Sequence, residues 1–210
     1  MIMAIQINGN GTITGISVGG LPDGIVDTDM IANSAVTTAK SSGLGGVTEA
    51  DQWRITTNEN FSAHQGYNWG NANIILDNYW ERNDSYFDKI GTGLTESSGV
   101  FTFPSNGIYN IRLQYGGRSN GADSQWIGMF VGVSTDSGSN WTHALVAEAA
   151  GIQNTGAYFN WHNCAEVTLD VTNASTFRMR FEIEPHQNIV LMGHSDKQRT
   201  GFTCTKLGNT

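Results

Sequence analysis

The chain has 210 residues, with 11 Lys or Arg against 19 Asp or Glu and a formal net charge of −8, which argues against a nucleic-acid binder, since that needs clustered cations to displace counterions from phosphates. Only 14% of residues are charged while Gly fills 26 positions; with abundant Ser, Thr and Asn, which bond their own backbones, this excludes a helical bundle. A core can nonetheless be filled, because 39% of residues are hydrophobic and 10% aromatic, so a disordered polymer is excluded too.

Met1 to Asn10 has no cationic region and no long apolar run, so no cleaved secretory signal is read there. No window approaches the ~18 apolar residues of a membrane span. These features predict synthesis and assembly in a cytoplasm. The arm from Met1 to Lys40 holds no aromatic residue and no cation before Lys40 itself. Ile5, Ile7, Ile13, Ile16 and Val18 are interrupted by Gly9, Gly11, Gly15, Gly19 and Gly20. A short helix is expected over 25–40, with Asp27 or Thr28 as its cap and Met30, Ile31 and Ala35 inside. Too few large side chains are present for a separate domain, so the arm should gain structure against a partner or against copies of itself. Ser41-Ser42-Gly43-Leu44-Gly45-Gly46 reads as a joint, giving a division into an arm and linker at 1–46 and a knob at 47–210.

Beyond the joint lie all the aromatic residues, and the apolar pattern has period two. Tyr109, Ile111, Leu113 and Tyr115 alternate with Asn110, Arg112 and Gln114; Val167, Leu169 and Val171 alternate with Thr168 and Asp170. Phe177, Met179, Phe181 and Ile183 alternate with Arg178, Arg180 and Glu182, a pattern that no helix would gather on one face. Trp126 to Val133 is apolar throughout, as in a strand covered on both sides. Turn clusters at 104–107, 119–121, 136–140 and 172–175 separate these runs. The expectation is an all-β antiparallel sandwich or barrel. Cys164 and Cys204 lack any C-x-x-C spacing and are expected to be buried free thiols, with a single bridge as the alternative.

Phe87-Asp88-Lys89-Ile90, followed by Gly99-Val100-Phe101-Thr102-Phe103-Pro104-Ser105-Asn106-Gly107-Ile108-Tyr109-Asn110-Ile111, resembles a signature of the globular heads of complement's first component. Val167–Val171 with Phe177–Phe181 is similar to that family's sixth and seventh strands, and Thr200-Gly201-Phe202 to its closing strand. Ile111 departs from the usual aromatic. The resemblance spans roughly residues 50–207 and implies the ten-stranded jelly roll shared with tumour necrosis factor, assembled as a homotrimer. Candidates for the threefold axis are Tyr109, Ile111, Leu113 and Phe202; because their faces alternate with polar neighbours, some of them are expected to point into the sandwich instead. In the arm, Gly11–Ile16, Gly19-Gly20-Leu21-Pro22 and Ile25–Thr37 resemble segments of bacteriophage tail and head fibres. That resemblance implies docking on other virion proteins through Ile13, Ile16, Leu21, Ile25, Met30 and Ile31.

Alternating strand direction divides the loops between two ends of the roll. The turns Ser105-Asn106, Asp136–Asn140 and Thr172–Ser175 are expected at the tethered base, and 185–196, 151–158, 116–123 and part of 62–85 at the distal tip. Binding surfaces are most readily built on such loops, since they vary without disturbing the sheets. Tyr67, Trp69, Arg118, Asn120, Asp123, Asn154, Tyr158, His186, Asn188 and His194 are the candidate receptor contacts. Tyr67, Trp69, Tyr79 and Trp80 could stack on sugars, although core packing is the commoner use of such rings. His186, His194 and Asp196 share a loop but lack metal-ligand spacing, and Asp77, Asp84 and Asp88 lack that of an EF-hand. His162 and Cys164 have no third group to orient them as a nucleophile pair. Ser137-Gly138-Ser139 is not a nucleophile elbow, and Glu182 and Glu184 read as the exposed face of a strand.

The expectation is a non-enzymatic bacteriophage virion protein without cofactor, metal, nucleic acid or membrane span. A host surface glycan or outer-membrane component is its expected receptor. A capsid decoration or head-fibre protein is the alternative, and a glycan depolymerase a third class.

Overall fold

The computed structural model describes residues 6–7, 13–14, 46–64, 74–84, 86–119, 126–149 and 160–210. The chain separates into two units, Met1–Gly46 and Val47–Thr210. In the first, β1 (Gln6–Ile7) and β2 (Ile13–Thr14) pair antiparallel with Ile7 opposite Ile13. The expected helix over 25–40, and the docking candidates Ile16, Leu21, Ile25, Met30 and Ile31, lie outside the described residues.

The second unit is an antiparallel sandwich with no helix among the described residues. One sheet contains β3 (Ala50–Ile55), β4 (Glu59–Phe61), β6 (Trp80–Arg82), β7 (Lys89–Ile90), β10 (Gly107–Ser119), β13 (Asn160–Val171), β15 (Ile189–Leu191) and β16 (Gly201–Gly208). The other contains β5 (Ile74–Ile75), β8 (Thr95–Ser97), β9 (Val100–Thr102), β11 (Ile127–Ser134), β12 (Thr142–Ala149) and β14 (Arg178–Pro185). Short segments at the sheet margins carry the count above the expected ten. β10 organises the first sheet: β13 follows one flank from Gly107↔Val171 to Arg118↔Asn160, while β16 and then β15 share the other. β14 plays the same part in the second, between β11 on one side and β9 with β5 on the other.

The period-two pattern sets which faces meet. Tyr109, Ile111, Leu113 and Tyr115 are buried against Met129, Val131, Met179, Phe181 and Ile183 from the opposite sheet in one core cluster. At its centre the Phe202 ring lies 4.9 Å from Phe101 and 4.6 Å from Phe181. Trp80 closes the group, 5.2 Å from Phe101 and 5.7 Å from Phe202, in the edge-on geometry that suits aromatic quadrupoles. Two glycines of the signature are required by close approach. A Cβ at Gly201 would stand 2.1 Å from the Trp53 carbonyl oxygen, and one at Gly107 would stand 2.6 Å from that of Gly208.

This packing corrects the axis assignment. Tyr109, Ile111, Leu113 and Phe202 are at most 1% exposed within a single chain, so their side chains fill the sandwich and are unavailable to a neighbouring subunit. Alternation along β10 places Tyr109, Ile111 and Leu113 on one face, and that face turns inward, where Phe202 of β16 joins it. Glu182 and Glu184 are corrected as well. They lie on the outer side of β14, yet only 3% and 5% of their surface is exposed. Glu182 stands opposite Phe130 of β11 and Ile75 of β5. Gly132, whose Cβ would meet Glu182 Oε1 at 2.9 Å, leaves room for the carboxylate to lie flat. His143 Nε2 and Arg180 Nε contact its two oxygens at 3.0 and 2.7 Å, and Arg180 stacks on Trp141. Burial pushes the Glu182 carboxyl up, but the Arg180 and His143 hydrogen bonds and charges outweigh it and hold the group below its usual range.

The cysteines are both free. Cys164 opposes Gln114 on one flank of β10 and Cys204 opposes Ile111 on the other. Two inter-strand spacings, about 9.5 Å, separate those flanks, beyond the ~7 Å that a bridge tolerates. Cys204 is buried as expected; Cys164 is exposed, because it falls on the outer register of β13.

Candidate functional site

The loops sort into two ends. At one, Asn106 Nδ2–H donates to the Thr172 carbonyl at 2.7 Å and Asn106 Oδ1 accepts from the Ala174 amide at 2.9 Å. The Ser137 amide donates to the Thr176 carbonyl, and Lys206 Nζ donates to Ser105 Oγ. Asp136 accepts from Asn140 and Ser134, bonds that hold its carboxyl at about 2. The three expected base turns are therefore stitched together, at the end where β3 begins and β16 finishes. Short self-bonded turns leave few polar groups free for a ligand.

At the opposite end, Arg118 pairs with Val190 and Ser119 with Ile189. His186 faces Trp126, with ring centroids 5.9 Å apart. Asn188 Oδ1 accepts from the Ala63 amide at 2.8 Å, and the His194 amide donates to the Ile55 carbonyl at 2.9 Å. Four expected contacts, Arg118, His186, Asn188 and His194, thus share one end of the roll. His194 is paired with Asp196. Tyr67, Trp69, Asn120, Asp123, Asn154 and Tyr158 lie outside the described residues.

Other candidates part company. Trp80 is a core residue, its Nε1–H donating to the Leu76 carbonyl at 2.7 Å, whereas Tyr79 is 53% exposed with φ of 61°. Asp84 lies 3.7 Å from the buried Arg54, which also binds Glu81 at 3.0 Å. Among the described residues no group of three or more His, Cys, Asp or Glu could hold a metal ion. His162 and Cys164 are exposed on one face of β13, and Ser137 sits in a turn with φ of 63°.

Sequence reasoning missed a cleft beside the distal end. β4 is the last strand of the first sheet beyond β15, and β5 lies on the margin of the second against β14. Between them opens a cleft of about 400 Å³, within the usual range for small-ligand sites. One wall is Asn58, Glu59, Asn60 and Phe61; the other is Ile74, Ile75, Asp77, Asn78 and Tyr79. Glu59 opposes Leu191 and Phe61 opposes Ile189, both fully buried, so Glu59 occupies a core-facing register position of a marginal strand. Burial, and then the charge of Asp77, push its carboxyl up to about 7. The signal available in the sequence was Glu59 two residues before Phe61, a carboxylate where alternation calls for an apolar side chain.

No protein-family model matches the sequence, and no curated protein matches it. Likeness appears among solved structures. The Eiger TNF of S. frugiperda is similar with a TM-score of 0.56 at 12% identity, over 77% of this chain and 93% of that one. Murine APRIL, at pH 8.0, gives 0.46 at 13% identity, over 76% and 99%. The likeness to the Eiger TNF shows the fold: an all-β, TNF-like jelly roll. Among the described residues no helix is long and apolar enough to cross a membrane.

Proposed function

We propose that the protein is a non-enzymatic structural component of a bacteriophage virion, made in the host cytoplasm, and that it forms a homotrimeric knob attached to other virion proteins through residues 1–46. In this reading the distal end meets the host surface. The observation that carries it is the opposition of the two ends: the chain joins the roll at Val47 beside the self-bonded turns, while Arg118, His186, Asn188 and His194 gather at the far end. The arm's resemblance to phage fibres supplies the particle, and the TNF-like fold supports threefold association. Three copies side by side multiply weak contacts without any new one. Association has to use residues outside the core formed by Tyr109, Ile111, Leu113 and Phe202.

The test is competition. Purified full-length protein, shown by light scattering to be a trimer, is expected to block adsorption of the particle to its host cells. Saturating protein that leaves adsorption unchanged would replace attachment with the decoration reading, in which the knob projects from the shell.

A further inference from the structure

The cleft between β4 and β5 has a chemistry more specific than a general contact surface. Its two walls bring carboxylates from Glu59 and Asp77, amides from Asn60 and Asn78, and the rings of Phe61 and Tyr79 to one opening of about 400 Å³. Asn78 Nδ2–H donates to Asp77 Oδ1 at 2.7 Å, which fixes one amide–carboxylate pair side by side. Among the described residues, no Lys, Arg or His lines the opening. The raised Glu59 carboxyl reports the same condition, since burial and Asp77 are its only causes and no cation relieves them.

Planar carboxylates and amides offer paired acceptors and donors at the spacing of adjacent hydroxyls, and an exposed aromatic face accepts the C–H side of a sugar ring. Tyr79, 53% exposed and held at φ of 61°, is the free ring. An anionic ligand would meet the Asp77 carboxylate, and that of Glu59 as well once it ionises above about pH 7, with no cation among the described lining residues to neutralise them, a juxtaposition that weakens binding strongly. We infer that this cleft is a binding site for uncharged sugars, selective against uronate-bearing ones. The inference rests on the attachment reading only for its biological setting. A marginal strand can also carry an inward charge merely to prevent edge-to-edge pairing, and that role predicts no ligand at all.

The experiment uses the purified full-length protein, titrated calorimetrically with maltotriose, cellotriose and mannotriose, and with trigalacturonic acid as the anionic probe. At least one neutral trisaccharide is expected to bind at least about tenfold more tightly than the acid. Tyr79→Ala, which removes the stacking face, and Asp77→Asn, which removes a charged hydrogen-bond acceptor, both at exposed positions, are each expected to weaken it by about tenfold or more. The double variant Glu59→Gln/Asp77→Asn should narrow the gap between neutral and acidic probes. Far-ultraviolet circular dichroism confirms that each variant is folded. Absence of binding by all three neutral probes, equal binding of the acid, or unaltered affinity in the folded variants overturns the assignment and leaves Glu59 as an edge guard. These readouts contain no cells. Adsorption blocked by a protein that binds none of the neutral probes would defeat the cleft and spare attachment, whereas sugar binding without any block would do the reverse.

Discussion

Replacing Phe202 by Ala separates a core position from an axis position. The side chain is fully buried in one chain, with Phe101, Phe181 and Trp80 rings at 4.9, 4.6 and 5.7 Å. Removing a ring so enclosed costs about 3–5 kcal/mol, combining lost transfer energy with the cavity left behind. Each kcal/mol lowers the melting temperature of a domain this size by about 2–4 °C, so Phe202→Ala should melt roughly 6–20 °C below wild type. Well below that transition its association state should match wild type, because the ring is fully buried within one chain. Thermal unfolding followed by circular dichroism reads the first quantity, and light scattering at low temperature the second. A variant that melts with wild type yet dissociates would show that Phe202 supports a subunit contact and would refute the packing argument.

Two further outcomes follow from the titration and exposure of single groups. Glu59 holds its proton to about pH 7 when folded, against a usual value of 4.5, so the folded state binds more protons between those values and stability falls as pH rises through them. Glu59→Gln removes that fall: denaturant unfolding should show it equal to wild type near pH 4 and more stable at pH 8, by on the order of 1 kcal/mol after solvent screening. Parallel pH profiles would contradict the burial of that carboxyl. Native protein should react with one equivalent of an aromatic disulfide reagent, at exposed Cys164, and denatured protein with two. Burial raises the Cys204 thiol far above its usual range, and rapid labelling of both sites in the native state would be inconsistent with its place in the core.

Alternation was a reliable guide wherever a strand was long. β10 and β14 each show which residues share a face, and the signature glycines Gly107 and Gly201 sit where backbones approach too closely for a Cβ. The base turns were legible because Asn, Asp, Ser and Gly have specific local bonding habits. Three things escaped, each for a nonlocal reason. Period two cannot say which face turns inward, so from sequence Tyr109 and Ile111 are candidates for the axis and for the sandwich interior alike. Glu182 looked solvated because its covers, Phe130, His143 and Arg180, converge from three strands and from the absent side chain of Gly132. The cleft was hidden because β4 and β5 are only three and two residues long, too short for a periodic signal, and belong to different sheets.

The two ends of the roll also determine how it would carry a load. With the polypeptide arriving at Val47 and a ligand gripped at the far end, tension runs lengthwise along β3, β16 and β10. Their inter-strand hydrogen bonds lie across that direction. Pulling would therefore shear a whole ladder together instead of peeling it rung by rung, which would make the sandwich stiff along its length.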